Sequence, residues 1–113
     1  MSKRESALYL ADIKECIKKL EHYVKGMSFE QFCDDPQVID AVVRNIEIIG
    51  EAASNIPKDI KVKYPDISWK RMVGMRNKII HEYFGIDKGI IWQTVKDDIP
   101  KLKSELSIKH FLI

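Results

Sequence analysis

Apolar residues recur at steps of three and four along most of this chain, the period of a helix that buries one face, and the gaps between runs carry residues that start and stop helices. In the first run Leu10, Ile13, Ile17, Leu20, Val24 and Met27 fall on one stripe. Ser2 and Glu5 ahead of it have the spacing of a capping box, and Gly26 supplies a stop. Ser28 with Gln31 predicts a short helical turn. Asp35-Pro36 then predicts the start of a second long helix, an acidic cap followed by proline at the position where no backbone N–H is needed. Its inward stripe is Val38, Val42, Ile46, Ile49, Ala53 and Ile56, ended by Pro57, and Gly50, Ala52, Ala53 and Ser54 are small enough to admit a close neighbour. Tyr64 to Ser68 reads as a loop, with Ser68 capping a third helix that carries Trp69, Met72, Val73, Ile79 and Ile80 and stops at Gly85. Asp87 caps a fourth helix lined by Ile91, Val95, Ile99, Leu102 and Leu106, in which Pro100 predicts a kink.

These elements predict an all-α fold: an antiparallel four-helix bundle with one or two additional short helices, forming a single domain over residues 1–113. Seventeen isoleucines favour strands by propensity, but their helical spacing overrides so weak a preference. Charge then narrows the function. With 19 basic and 17 acidic residues the net charge is +2, which excludes a protein that coats nucleic acid; any RNA contact is local. There is no run of about 18 uncharged apolar residues to span a membrane, and Met1-Ser2-Lys3-Arg4-Glu5 has no apolar signal core, so the expected location is the cytoplasm. Cys16 and Cys33 stand far apart with no partner cluster and read as reduced, buried thiols rather than zinc ligands. A Gly-rich phosphate loop, paired histidines at zinc spacing, a Gly-x-Ser-x-Gly turn and an EF-hand loop are all missing, so neither a metal nor a cofactor is expected.

The chemistry concentrates in Met75-Arg76-Asn77-Lys78-Ile79-Ile80-His81-Glu82-Tyr83, on the third predicted helix. Arginine offers a permanent fork of donors to phosphate oxygens, and histidine changes charge near neutral pH, which together suit phosphodiester chemistry. The two residues leave an ideal helix ~140° apart, so they do not share a face. Arg76 aligns with Ile80 and Tyr83, whereas Asn77 aligns with His81. The long arginine can bridge these stripes, and a groove against a second helix or a second copy of the chain would let both groups converge on one phosphate. RNA supplies its own nucleophile: a base that takes the 2′-hydroxyl proton lets that oxygen attack the adjacent phosphorus, and a guanidinium can hold the charge that develops. His81 fits the first task and Arg76 the second, and the sequence leaves open whether His81 acts first as base or later as acid.

Arg76-Asn77-x-x-x-His81-x-Tyr83, with Met75 before it, Glu82, Phe84 and Gly85 around it and Ile48-Ile49-Gly50-Glu51-Ala52 upstream, resembles the HepT-like ribonuclease toxins of the HEPN superfamily. The resemblance covers nearly the whole chain. It implies a HEPN-like fold and a metal-independent endoribonuclease acting as a homodimer, with the motifs of two subunits lining one cleft. Arg76 and His81 carry over as the catalytic pair and Asn77 as a supporting residue that orients the site. The family also implies a toxin–antitoxin system whose minimal nucleotidyltransferase antitoxin silences the toxin by AMP transfer to the tyrosine of His-x-Tyr, here Tyr83.

Other features read as structural. His22 and His110 are expected at the surface, and Lys58, Lys61, Lys63, Lys70 and Arg71 are expected to solvate the molecule before they steer RNA. Arg44, Glu47 and Glu51 are expected to form exposed pairs along the second helix rather than to buttress Arg76. Trp69 and Trp92 are expected as core or dimer anchors. Two other functions use the same residues differently: a noncatalytic helical module that binds a nucleotidyltransferase or presents substrate to it, and a plain dimeric scaffold.

Overall fold

A computed structural model describes residues 3–82 and 87–107, without the side chains of residues 3, 4, 80, 81 and 82. Ser2, Tyr83, Gly85 and His110, which carried expectations above, lie outside the described residues. The order is α1 (Lys3–Val24), α2 (Phe29–Cys33), α3 (Pro36–Asn55), α4 (Lys58–Lys63), α5 (Trp69–Glu82), α6 (Lys88–Gln93), a π-helical turn (Thr94–Asp98) and α7 (Ile99–Leu106), with no strand among the described residues. The all-α expectation holds.

Local chemistry sets most of the starts and stops. Gly26 takes φ +75, a left-handed conformation that suits a residue without Cβ, just after α1 ends. Ser28 and Gln31 form a full capping box: the Ser28 N–H donates to Gln31 Oε1 at 2.8 Å, and the Gln31 N–H donates to Ser28 Oγ at 3.1 Å. Asp35 and Asp87 cap α3 and α6, accepting from the N–H of Val38 and of Ile90, each at 3.1 Å. Each of these contacts lies within one turn, which is why the pattern alone located them.

Helix α3 is the central element, packed between α1 and α5. The predicted stripes meet there: Ile13, Leu20, Val42, Ile46, Ile49, Met72 and Ile79 are essentially removed from solvent. Each aliphatic side chain of this kind contributes about 1.5–3 kcal/mol relative to exposure, so the core follows from the spacing of these residues. Cys16 belongs to the same core, and burial pushes its thiol pKa up, which keeps the sulfur neutral. Cys33 is free as well but half-buried. Met27, expected at the end of the first stripe, lies beyond α1 and is half-buried, because α1 stops at Val24.

Three features depart from the sequence pattern or refine it. Lys58–Lys63, which shows no apolar stripe, forms the short helix α4, with Val62 69% exposed. The disturbance expected at Pro100 takes the form of the π-helical turn, in which the Ile99 N–H donates to the Thr94 carbonyl. That wider turn delivers Pro100 into the first turn of α7, where its missing N–H costs little. Ser68, expected as a side-chain cap, instead donates through its N–H and its hydroxyl to the two carboxylate oxygens of Glu105 in α7, at 2.9 Å each. Its carbonyl still accepts from the Arg71 and Met72 N–H groups at the head of α5.

Candidate active site

The motif helix α5 turns one side toward α3 and the opposite side to water. Trp69, Met72, Met75 and Ile79 are buried, while Lys70, Gly74, Asn77 and Lys78 are exposed. On an ideal helix Arg76 falls within the buried sector, and the structure shows how a charged residue is accommodated there. Its aliphatic stem lies directly on the backbone of α3 at Gly50. A Cβ built on Gly50 would overlap the Cβ of Arg76 and would come within 2.9 Å of its Cδ and 3.0 Å of its Cγ. A glycine is therefore required at this crossing. The small-residue segment of α3 thus has a defined partner, which the sequence did not name.

From that seat the guanidinium reaches back around α5. Nε and Nη2 of Arg76 donate to Oδ1 of Asn77 at 3.3 and 3.1 Å. The bridge between the two stripes exists as far as Asn77: the half-buried arginine is turned toward the exposed side by its neighbour's carboxamide. The acceptor is neutral, and among the described residues no carboxylate pairs with the guanidinium. Arg44 and Glu47 form the exposed i, i+3 pair expected of them at 4.0 Å, and Glu51 is exposed. His81 belongs to α5 one turn beyond Asn77, and Tyr83 lies outside the described residues. Arg76 and Asn77 are thus brought together.

The start of α5 is fixed separately. The Ser68–Glu105 grip ties it to α7, Arg71 donates to Asp98 at 2.8 Å, and the Trp69 Nε1–H donates to the Tyr64 carbonyl at 3.2 Å. Trp69 is accordingly a core anchor. Trp92 is half-buried against Phe29 and Phe32 with the Lys96 ammonium 5.1 Å from its ring centroid. His22 is exposed.

The sequence profile of the ribonuclease HepT-like family matches residues 13–108, a span that includes α3, α5 and every residue of the site just described. The chain belongs to the HepT-like ribonuclease family. That places it among enzymes that cleave RNA. Three curated relatives agree over most of their lengths. A Thermococcus cleftensis protein named "Probable ribonuclease HepT" is 48% identical over 103 residues, 91% of this chain and 94% of its own. A Methanocaldococcus jannaschii protein named "Putative RNase MJ1380" is 43% identical, covering 96% and 99%. A third, from Caldanaerobacter subterraneus and also named as an RNase, is 46% identical, covering 87% and 88%. No solved structure matches the chain significantly. Among the described residues, no helix of this HepT-like protein is long and apolar enough to cross a membrane.

Proposed function

We propose that this chain is a metal-independent endoribonuclease toxin whose catalytic pair is Arg76 and His81. The observation that carries the reading is Arg76, its aliphatic stem seated on Gly50, its guanidinium turned toward the exposed side by Asn77 and, among the described residues, paired with no carboxylate. A cation held so, in a chain of this family, is suited to a transferring phosphoryl group. In the reaction His81 takes the proton of a ribose 2′-hydroxyl. The 2′-oxygen then bonds to the adjacent phosphorus while the bond from phosphorus to the 5′-oxygen breaks. A proton delivered to the departing 5′-oxygen completes the step and leaves a cyclic phosphate. Arg76 stabilises the charge gathered on the nonbridging oxygens, and Asn77 orients the guanidinium. DNA has no 2′-hydroxyl and is not a substrate.

The remaining parts of the proposal follow the family resemblance. The active form is a homodimer in the cytoplasm, each copy a single domain, with both motifs lining one cleft. A minimal nucleotidyltransferase antitoxin transfers AMP from ATP to the Tyr83 oxygen with release of pyrophosphate, placing a bulky anion on the stripe of Arg76. The deciding experiment is cleavage of RNA by purified protein in EDTA. Arg76→Ala and His81→Ala proteins of unchanged fold should be inactive and harmless on expression. Cleavage that persists in both variants would move the active site elsewhere, and a wild-type protein that leaves RNA intact would favour a noncatalytic module.

A further inference from the structure

Among the described residues, three of the glycines have a structural reason and the fourth has none. Gly26 takes a positive φ, Gly50 makes room for Arg76, and a Cβ on Gly89 would crowd Asp87 Oδ1 at 3.2 Å. Gly74 stands mid-helix in α5 and is exposed, and a Cβ there would meet no atom within 4 Å among the described residues. Glycine is the weakest helix former after proline, so its presence here lowers helix stability with no packing return among the described residues. The space above Gly74 is open to something from outside.

The neighbours of Gly74 indicate what that is. Lys70 precedes it by one turn and Asn77 follows by three residues, both exposed on the same side of α5. Asn77 in turn holds the Arg76 guanidinium. Asp97 and Asp98 border a polar depression with Lys78, so the part of the face formed by Lys70, Gly74 and Asn77 suits an anion better than the part beside that depression. In the proposed dimer this side of the motif helix borders the cleft, and closing the two copies directly on one another there would bring lysines against lysines, whereas a polyanionic strand lying between them complements both.

We propose that Gly74 is where the sugar–phosphate backbone of the RNA strand comes into van der Waals contact with α5, one turn from the Arg76–Asn77 pair. The bare helix surface lets the strand sink far enough for its phosphate to reach the guanidinium. A side chain at this position lifts the strand away while strengthening the helix, so stability and activity move in opposite directions. This inference rests on the ribonuclease reading and deepens it.

The test uses Gly74→Ala and Gly74→Leu in the full chain, with thermal unfolding, cleavage of a single-stranded RNA, binding of an uncleavable 2′-O-methyl oligonucleotide of the same sequence, and sedimentation. The thermal midpoint of Gly74→Ala should rise by about 4 °C. Oligonucleotide binding and cleavage should weaken with side-chain size, by about tenfold or more for Leu, since small displacements at a reacting centre are costly. Binding and cleavage by Gly74→Leu at the wild-type level would overturn the contact and leave the enzyme reading intact. A change in the sedimenting species would overturn it too, by assigning the face to a second copy. Wild-type protein that neither cleaves RNA nor binds the oligonucleotide would overturn both.

Discussion

The first turn of α5 and the turn that carries Arg76 are held by opposite kinds of contact. At the first turn the ties are polar and sit toward the surface: Ser68 to Glu105, Arg71 to Asp98. At Arg76 the tie is steric, an arginine stem lying on the bare backbone of α3 at Gly50. Water can replace much of a polar contact near the surface, so its loss is graded. Nothing can replace missing room between two helices. Arg76, the proposed catalytic residue, is therefore placed by the contact that tolerates least change, and the other end of its helix by contacts that can be traded singly.

Substitutions can break or sharpen this contrast. Gly50→Val should have the largest effect: overpacking costs about 1–3 kcal/mol, and because the displaced group is Arg76, RNA cleavage should be lost by more than the unfolded fraction explains. Denaturant unfolding and cleavage per folded molecule measure the two effects, and wild-type activity in a folded Gly50→Val protein would refute the positioning role. Glu105→Ala leaves Ser68 without its acceptor and should cost about 1–2 kcal/mol, yet cleavage per folded molecule should stay near wild type. Asn77→Ala is the converse. Stability should hardly move, while kcat falls about tenfold as the guanidinium loses its tether, equivalent to about 1.4 kcal/mol; Asn77→Ser should recover part of it. Smallest is Arg71→Ala, which removes a partly exposed pair and should cost no more than about 0.5 kcal/mol, less at high salt. A larger loss would mean that the polar end of α5 carries more than the contrast allows.

Much of this was legible in the chain because its causes are local. The capping box at Ser28 and Gln31, the caps at Asp35 and Asp87 and the stop at Gly26 each depend on residues within a turn of one another. The motif was legible as residue types at a spacing, and the family it suggested is the one whose profile the chain matches. Helix α4 was not, since a short exposed helix with no apolar stripe has no period to detect. The role of Ser68 was hidden because its acceptor lies 37 residues away.

The starts of α2, α3 and α6, most of the buried stripes and the chemical character of Arg76, Asn77 and His81 follow from the order of residues alone, because backbone hydrogen bonding and apolar periodicity act over a few positions. Which small residue of α3 would lie beneath which residue of α5, and so where the guanidinium comes to rest, was decided by the packing of two helices far apart in sequence. That register is fixed by steric exclusion at Gly50, a property of the pair of surfaces that neither segment encodes by itself.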